Sequence, residues 1–369
     1  MHPARRISVL GVLLLLASVA SAQIGTSTIT GRVTDSTGAV VPKVSITIVQ
    51  TATNFQNTAV TNEDGIYRVP SLQPGAYRVT FEASGFKRLV RENIDLRTGD
   101  VLAVDAALQV GSVNESIEVT GAAPLLETET SATGTVVEGD ILHKLPLYQR
   151  YINSTLNLVP GMTTAGYAYG GDLGSYHLAG QRNGSIGIFE DGVNGNDQLG
   201  GQGTIKPIQN AVEEVKVLTT TLPAEYGHSA GGVISVVKKS GTNEIHGLGG
   251  WYGRSRRMQH RLFFDKFRTT DADQPGGPVP TFFFLPEANV SGPVVIPKLY
   301  NGKNKTFFFF AYQKLIEKKI APGPVSNLIA NEKARVFFED FSQRIDHQFS
   351  PNFKFYGSWT YNHSSGFNR

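Results

Sequence analysis

Apolar and polar residues alternate one by one along many short segments of this chain, with glycine, aspartate or proline between the segments. Alternation with period two places successive side chains on opposite faces of a β-strand, whereas a helix repeats every 3.6 residues. Forty glycines and 18 prolines provide the turns that many short strands require. The sequence therefore predicts a fold that is mainly β.

The N-terminus has the composition of a secretory signal. Arg5 and Arg6 form a basic start, and residues 7–20 are an almost unbroken apolar run. This run is shorter than the roughly 20 residues that a membrane-spanning helix needs. A small-x-small tripeptide follows, which predicts export and cleavage between Ala22 and Gln23 rather than a membrane anchor.

Composition and motifs exclude several classes of function. No cysteine occurs among the 369 residues, so thiol catalysis and cysteine-based metal sites are excluded. The net charge is only +3, which argues against a nucleic-acid partner. Motifs for nucleotide binding or zinc-protease chemistry are absent from the sequence. We predict an exported protein that is not an enzyme and that uses no cofactor.

The region 23–110 has short alternating segments between closely spaced turns, which is typical of a β-sandwich. Strands are predicted at Thr28–Val33, Val44–Val49, Ile66–Val69, Tyr77–Phe81 and Leu102–Leu108. Aromatic residues in such strands more often form the core than a sugar-binding platform. We therefore assign to the core Phe55, Tyr67, Tyr77, Phe81 and Phe86.

Short motifs in this region occur in a characteristic order. They are Gly31-Arg-Val-x-Asp35, Gly38-x-x-x-Pro42, Thr61-x-x-Asp64-Gly65-x-Tyr67, Leu72-x-Pro74-Gly75-x-Tyr77 and Gly85-Phe86. This order resembles the carboxypeptidase regulatory-like domain. The resemblance implies a transthyretin-like β-sandwich of the carbohydrate-binding-like superfold, with an accessory role and without peptidase chemistry.

The link 111–125 contains a short segment of strand propensity, bounded by glycine and proline. Its residues are Ser116, Ile117, Glu118, Val119, Thr120 and Gly121. Such a segment is able to add a strand to the sheet edge of a partner. It resembles a TonB box, and it is equally compatible with the last strand of the sandwich or the first strand of the next domain.

The region 126–242 has the pattern of a mixed α/β domain with long glycine-rich loops. A helix is predicted at Gln149–Leu158 and a shorter helix from Pro207 to Glu214. Strands are predicted at Val215–Leu218 and Val233–Val237. The helices and strands would form a small sheet with helical connections.

A second series of motifs lies in this region. It comprises Leu145-Pro146-Leu147, Leu158-Val-Pro-Gly161, Gly180-Gln-Arg-Asn183, Asp191-Gly192-Val193-Asn194, Ile208-Gln-Asn-Ala-Val-Glu-Glu-Val215, Ala224-Glu-Tyr-Gly227, Gly231-Gly232-Val233-Ile-x-Val236 and Lys239-Ser-Gly-Thr-Asn243. This succession resembles the plug domain of TonB-dependent receptors, particularly the Oar-like kind. That resemblance implies a domain that closes an outer-membrane β-barrel.

Two features of the region 126–242 have other interpretations. Gly227-His-Ser-Ala-Gly231 matches the nucleophile elbow of α/β-hydrolases, with Ser229 as nucleophile and His246 or His260 as base. An elbow lies between a strand and a helix, whereas here a β-branched run follows. The acids Asp172, Glu190, Asp191 and Asp197 either bind a cation or, as is commoner in turns, bond their own backbone.

The region 243–369 has the pattern of the first strands of an outer-membrane β-barrel. Five strands are predicted at 243–252, 281–290, 305–313, 335–349 and 352–362. In the last of these, aromatic residues occupy one face and polar residues the other, as in a strand between lipid and lumen. The alternative is a soluble sandwich strand with its aromatic residues in a core.

The predicted links between these strands also differ in kind. Links 253–280 and 314–334 are long and polar, 291–304 is intermediate, and Ser350-Pro351 is a tight turn. Outer-membrane barrels alternate long external loops with short periplasmic turns in this way. The tract 254–268 is basic and either contacts anionic lipid or substrate or is simply solvated. Five strands cannot close a barrel, so we expect the barrel to be incomplete in this chain.

The sequence thus predicts five parts: a signal peptide at 1–22, a sandwich at 23–110, a linker at 111–125, a plug at 126–242 and an incomplete barrel at 243–369. The resemblance implies an outer-membrane receptor with its plug and sandwich on the periplasmic side. Its partners would be the TonB–ExbB–ExbD complex, outer-membrane lipid and an unknown small-molecule, saccharide or peptide substrate. The alternative is a secreted β-rich binding or adhesion protein.

Overall fold

The structure is a computed structural model. It describes residues 26–111, 116–119, 133–145, 150, 152–164, 176–182, 184–197, 203, 206–224, 226–227, 229–258, 260, 281–320, 333–351 and 353–367. The predicted signal peptide and its cleavage site, Ala22 and Gln23, lie outside these residues, as do Thr120 and Gly121 of the predicted TonB box. Over the described ranges, no helix has the length and apolar character that crossing a membrane requires.

Nine strands form the N-terminal sandwich. They are β1 (Ser27–Asp35), β2 (Ser45–Gln50), β3 (Gln56–Val60), β4 (Ile66–Leu72), β5 (Gly75–Glu82), β6 (Arg88–Leu96), β7 (Val101–Ala103), β8 (Ala106–Leu108) and β9 (Ser116–Val119). One sheet has the order β4-β1-β7, with β8 also paired to β1, and the other has the order β3-β2-β5-β6-β9. The two sheets enclose a single apolar core.

The sandwich core is built from one face of each principal strand. In β5 the burial alternates, so that Tyr77, Val79 and Phe81 are buried while the residues between them are not. Tyr67 donates a buried hydrogen bond from its hydroxyl to the carbonyl of Val104, 2.8 Å away, and thereby satisfies its polar atom. The predicted core role of Tyr67, Tyr77 and Phe81 is confirmed.

The second region is a small mixed sheet with short helices. Its elements are β10 (Thr133–Glu138), α1 (Gly139–Lys144), α2 (Ile152–Leu156), β11 (Met162–Thr164), β12 (Tyr176–Leu178), β13 (Gly187–Glu190), β14 (Val193–Asn194), β15 (Val212–Thr220) and β16 (Val233–Lys238). The principal sheet has the order β10-β15-β16-β13-β14, and only β13 and β16 pair in parallel within it. We call this region the plug.

The structure corrects two helix predictions in the plug. The helix predicted at Gln149–Leu158 covers only Ile152–Leu156 among the described residues. The helix predicted from Pro207 to Glu214 is wrong, because a 3₁₀ turn at Gln209–Ala211 gives way to a strand at Val212. Because β15 is buried on both faces over much of its length, it lacks the alternation that identifies a strand in a sequence.

The third region is an antiparallel sheet of five long strands. It contains β17 (His246–Ser255), β18 (Thr281–Pro293), β21 (Thr306–Ile320), β22 (Lys333–Ser350) and β23 (Phe353–Phe367), paired in chain order. A small hairpin of β19 (Val295–Ile296) and β20 (Tyr300–Asn301) lies between β18 and β21. We call the five-stranded sheet the wall.

The wall agrees with the five predicted strands and corrects their ends. The third strand was predicted to end at Gln313 but continues to Ile320, and the fourth begins at Lys333, so the link between them is shorter than predicted. In the part of the chain that the structure describes, β17 and β23 are the two edges of the sheet and the barrel is not closed. The predicted fold class, mainly β with a sandwich, a mixed plug and an incomplete barrel, is confirmed.

Candidate functional site: a buried charge cluster between plug and wall

One face of the wall is polar and buried. Its buried polar residues follow the strand period and are Glu287, Gln313, Glu317, Asp340, Ser342, Arg344 and Asp346. The opposite face is apolar and exposed, with Trp359 59% and Phe355 58% accessible. The same buried face also carries apolar side chains, among them Phe307, Phe309 and Leu315. Several buried charges opposite exposed aromatic residues are nevertheless unusual in a soluble protein, which keeps charged side chains outside. The plug is packed against the polar face.

A two-residue turn places the central acid of the plug. Asp191 and Gly192 connect β13 to β14, and both have left-handed backbone angles, with φ of 48° and 82°. An Asp-Gly pair is the preferred sequence for this kind of hairpin turn, because both positions require a positive φ. The turn brings the Asp191 carboxylate to the surface of the plug that faces β22 and β23.

Arg344 of the wall is the partner of Asp191. Its guanidinium lies 3.2 Å from the Asp191 carboxylate and donates a hydrogen bond of 3.1 Å to the Lys238 carbonyl. On the other side it contacts both carboxylate oxygens of Asp346, with a shortest distance of 2.9 Å. The guanidinium also lies 5.0 Å from the ring centroid of Tyr356, in cation–π geometry. The Arg344 side chain is 5% exposed. Through these contacts it joins the plug to β22 and β23 of the wall.

Lys238 completes the cluster from the plug side. Its ammonium group lies 3.5 Å from Glu190 and 3.4 Å from Asp191, and it bonds the Thr360 hydroxyl of β23 at 3.0 Å. Burial raises the pKa of the Glu190 carboxyl, although the neighbouring Lys238 ammonium opposes this shift. Five charged side chains from plug and wall therefore share one enclosed volume: Glu190, Asp191, Lys238, Arg344 and Asp346.

The charge cluster contributes more to a single defined arrangement of plug and wall than to the free energy of folding. A buried ion pair gains little net free energy over an apolar contact, because both charges lose water. Removal of one partner, however, leaves an uncompensated buried charge, which typically costs about 3–5 kcal/mol. Such a network holds two parts in one arrangement and loses its balance when they separate.

Two further contacts fix the plug against β17, β18 and β21. Arg150 lies 3.8 Å from Glu287 and 3.7 Å from the ring centroid of Tyr252. A small apolar cluster combines Ile208 and Ala211 of the plug with Phe309 and Ala311 of the wall. The plug is therefore held along much of the polar face and not only at Arg344.

The sandwich also contacts the plug through buried polar groups. Glu214 accepts hydrogen bonds from the backbone and the hydroxyl of Thr98, at 2.7 and 2.6 Å. Lys216 forms an ion pair with Asp100 at 3.0 Å. Burial raises the pKa of the Glu214 carboxyl, an effect that the two bonds from Thr98 partly offset.

A second surface of the sandwich contacts one end of the wall. Phe55 packs edge-on against Phe307, with ring centroids 5.2 Å apart. Gln73 donates a hydrogen bond of 3.0 Å to Asp346, which is itself a partner of Arg344. The predicted core role of Phe55 needs correction, because its partner is the wall and it lies outside the apolar cluster of the sandwich. Phe55 lies in the turn between β2 and β3 and not in a strand.

The predicted TonB box lies partly within the described residues. Ser116–Val119 is strand β9, which pairs in parallel with Arg88–Arg91 of β6 at the edge of the larger sandwich sheet. Of the two structural alternatives, the backbone thus adopts the last strand of the sandwich. Its role as a TonB box stays a prediction.

The hydrolase interpretation fails on local geometry. Ser229 lies in an irregular segment, where its hydroxyl bonds the carbonyl of Gly227 at 3.3 Å. The next element is the strand Val233–Lys238, where a nucleophile elbow requires a helix. His246 begins β17 and is exposed.

Of the four acids named above, Asp172 lies outside the described residues, and Asp191 follows neither alternative, since its carboxylate bonds residues distant in the chain. Asp191 accepts a bond from the backbone of Lys238 at 2.9 Å in addition to its ion pairs. Over the described residues, no group of three or more metal-ligating side chains occurs. Sequence reasoning missed Arg344, Asp346 and Lys238; the only signal was that Arg344 and Asp346 fall on the polar face of an alternating strand.

Comparison with known proteins gives one family match and several relatives. Residues 28–109 match the carboxypeptidase regulatory-like domain. The TonB-dependent transporter Oar of Myxococcus xanthus is 30% identical over 244 residues, which cover 63% of this chain and 22% of that protein. The resemblance that the motifs indicated is thereby confirmed, and the matched relative is a transporter and not an enzyme. This chain spans 22% of the length of that relative.

Two solved structures are similar to part of the chain. The siderophore receptor PirA from Acinetobacter baumannii has a TM-score of 0.45 at 19% identity, over 63% of this chain and 32% of that one. The outer membrane transporter YddB from Escherichia coli has a TM-score of 0.47 at 14% identity, over 63% of this chain and 33% of that one. Both likenesses are partial.

Proposed function

We propose that this chain is the N-terminal part of a TonB-dependent outer-membrane receptor that takes up an unknown small-molecule, saccharide or peptide substrate. The observation that carries the proposal is the reversed polarity of the wall, whose charged face holds a plug and whose aromatic face is exposed. A sheet of this kind is suited to separate lipid from a polar interior. The similarity to the transporter Oar supports the same function.

The links of the wall suggest its orientation. The sandwich contacts Asn304, Phe307, Gln348 and Lys354, all near the links 294–305 and 351–352. Links 256–280 and 321–332 leave the opposite ends of the strands. Link 256–280 is the longest of the four and 351–352 the shortest, while 294–305 and 321–332 are equal in length. Because outer-membrane barrels place their short turns in the periplasm, we assign the sandwich to the periplasmic side and the long link 256–280 to the outside.

The charge cluster then defines what transport requires. The plug must leave or rearrange before a substrate can pass, and this movement separates Asp191 and Lys238 from Arg344. The separation exposes charges to water and repays part of their desolvation, so an external pull can complete it without any catalytic residue. We assign that pull to the TonB–ExbB–ExbD complex, acting through Ser116–Gly121.

The pairing of β9 adds a condition to that pull. TonB would engage the box by adding it as a strand to its own sheet. As long as Ser116–Val119 pairs with β6, one edge of the strand is occupied by the sandwich. The box must therefore leave the sandwich, or be bound on its other edge, before force reaches the plug.

A disulfide tests the box in a chain that has no cysteine of its own. Leu89 and Ile117 are direct neighbours on β6 and β9, and adjacent strands lie about 4.8 Å apart, within the range of a disulfide. In the Leu89→Cys/Ile117→Cys variant of the full-length protein, we expect oxidation to reduce binding of the periplasmic domain of TonB at least tenfold. Reduction should restore it.

The matched control is Thr47→Cys/Thr58→Cys, which joins β2 to β3 at the other edge of the same sheet. Oxidation of this pair should leave TonB binding unchanged. Equal binding by the oxidised and reduced Leu89→Cys/Ile117→Cys protein would contradict release of β9 as a requirement. Absence of TonB binding by the unsubstituted full-length protein would contradict the box itself.

The alternative function, a secreted β-rich binding or adhesion protein, predicts different behaviour in cell fractionation. It would fractionate with soluble proteins, whereas the receptor fractionates with the outer membrane and migrates differently on a gel after heating. The buried state of Tyr67, Tyr77 and Phe81 removes three of the aromatic residues that a sugar-binding surface would use. Recovery of the full-length protein in the soluble fraction would favour the alternative.

A further inference from the structure

The link between β18 and β21 carries an exposed apolar surface. Four large side chains of this hairpin, residues 294–305, are accessible to solvent: Val295 48%, Ile296 47%, Leu299 81% and Tyr300 36%. Single exposed apolar residues are common on proteins, but a group of four within six positions indicates a surface that contacts something apolar. We call residues 294–305 the basic hairpin.

The same segment is strongly basic. It contains Lys298, Lys303 and Lys305, all exposed, and no acidic residue. None of the three lysines forms an ion pair with any residue that the structure describes. The hairpin therefore combines an apolar tip with three positive charges that no neighbouring carboxylate neutralises.

Backbone hydrogen bonds hold the hairpin in shape. Val294 and Thr306 are bonded at 2.9 Å, Gly302 donates to the Val294 carbonyl at 2.9 Å, and Leu299 donates to the Ile296 carbonyl at 3.0 Å. The Tyr300 hydroxyl contacts the Thr306 hydroxyl. The apolar side chains are thus displayed on a defined scaffold, so their exposure is not the result of a loose loop.

The hairpin continues the exposed apolar face of the wall at the end where the sandwich sits. Asn304 bonds Asn54 of the sandwich at 2.9 Å, which places the hairpin at this end. The turn between β22 and β23 lies at the same end, with Phe349 63% and Phe353 60% exposed and their rings 5.2 Å apart. Apolar side chains at the rim of a barrel lie where hydrocarbon meets headgroups.

We propose that the basic hairpin is a membrane-surface anchor that inserts Leu299 and its apolar neighbours between phospholipids and binds anionic headgroups with its lysines. An apolar tip with flanking lysines is the composition of segments that lie in the interface of an anionic bilayer. This inference rests on the proposed function, because it requires the apolar face of the wall to lie in a membrane. The anchor would fix the periplasmic rim, where sandwich and wall meet.

A fluorophore on a single cysteine tests the insertion. Leu299→Cys carries the label at the hairpin tip, Phe355→Cys carries it on the apolar face of the wall, and Val60→Cys carries it on the sandwich, where Val60 is 62% exposed. Full-length protein is placed in vesicles of phosphatidylcholine with or without phosphatidylglycerol. Quenching is measured with spin-labelled lipid and with aqueous iodide.

The labels separate this inference from the proposed function. We expect lipid quenching at 299 and 355, stronger at 299 when phosphatidylglycerol is present, and iodide quenching only at 60. Lipid quenching at 355 together with iodide quenching at 299 would overturn the anchor and leave the receptor standing. Iodide quenching at both 299 and 355 would overturn both. Protection of 299 from both quenchers would show that a protein or a second copy covers the hairpin, and would also overturn the anchor.

The charges are tested separately with two triple variants. Lys298→Gln, Lys303→Gln and Lys305→Gln together should abolish most of the preference for phosphatidylglycerol, on the order of fivefold per lysine. Arg68→Gln, Arg78→Gln and Arg88→Gln remove three exposed charges from the sandwich and should leave the preference unchanged. An unchanged preference in the lysine variant would overturn headgroup binding.

Discussion

The sandwich and the wall are both sheets of alternating strands, yet they bury opposite faces. In the sandwich, Val79 and Phe81 are inaccessible, whereas Arg78 and Glu82 on the opposite face of the strand are exposed. In the wall, Arg344 and Asp346 are inaccessible and Ile345 between them is 52% exposed. Strands with the same alternating pattern therefore occur in two different environments. The two sheets are distinguished only by what packs against each of their faces.

This difference shows what each sheet depends on. The sandwich is stabilised by apolar contact between its own two layers, so its core residues must match in shape. In the proposed receptor, the wall depends on two foreign surfaces, a polar plug on one side and an apolar medium on the other. Substitutions should therefore have opposite consequences in the two sheets, according to the face on which they fall.

The largest effect should follow loss of Arg344. Arg344→Leu leaves Asp191 and Asp346 buried without their shared cation, and we expect the plug to open more easily by about 3–5 kcal/mol. Hydrogen exchange of β13 and β16 measures this opening. Arg78→Leu is the control, because Arg78 is 49% exposed beside Glu92 and its pair contributes less than about 1 kcal/mol. Equal exchange in wild type and Arg344→Leu would contradict the role of the cluster.

A charge on the apolar face of the wall should come next in size. Trp359→Lys places an ammonium group where we expect lipid, at a cost of about 2–4 kcal/mol near the membrane midplane. Insertion into vesicles, followed by gel migration without heating, measures it. Ser358→Lys, one position away on the other face, should insert normally. A similar defect in both variants would mean that the two faces are not distinguished by lipid.

Removal of one methylene group from a sandwich residue and from a wall residue gives a smaller difference between the two sheets. Ile48→Val in the sandwich core should destabilise that domain by about 0.5–1.5 kcal/mol, because Ile48 is wholly buried. Ile345→Val on the exposed face of the wall should change unfolding by less than that. Denaturant unfolding followed by exchange in each region checks both. A larger effect of Ile345→Val would imply that this face packs against protein.

The smallest effect concerns pH at the contact of sandwich and plug. Burial raises the pKa of Glu214 above its ordinary value of 4.5, and the nearby Glu213 and Asp100 carboxylates add to the shift. A raised carboxyl pKa means that the folded contact binds the proton more tightly than the open one, so the contact weakens as pH rises from about 4.5 through the raised pKa. Glu214→Gln should remove this dependence, measured as exchange of the Thr98 amide. An unchanged pH profile would contradict it.

The wall was the part best predicted from sequence, because its strands are long and rich in aromatic residues. Two sandwich strands, β3 and β6, were missed. In β6 the buried residues change from Leu89 to Ile94 and Leu96, so the period shifts within the strand. The register shift opposite Tyr77 and Val79 and the left-handed Asn93 explain the change. A bulge of this kind disrupts the pattern that identifies a strand.

Local sequence patterns could not predict the residues that form the candidate site. The sequence identified Asp191 as a turn residue, which the structure bears out, but its partner Arg344 is 153 positions away. No spacing rule relates two residues that meet only when one domain packs against another. The helix expected from Pro207 to Glu214 failed for a related reason, because Ile208 and Ala211 are buried against the wall while Val215 is buried in the plug core.

The central claim, that the wall separates lipid from plug, is tested most directly along β23. Single cysteines at successive positions from Phe353 to Tyr361 carry a fluorophore in membranes that contain a spin-labelled lipid. The account predicts quenching with a period of two, strong at 353, 355, 359 and 361 and weak at 354, 356 and 360. Uniform quenching, or quenching of the whole series by aqueous iodide, would contradict it.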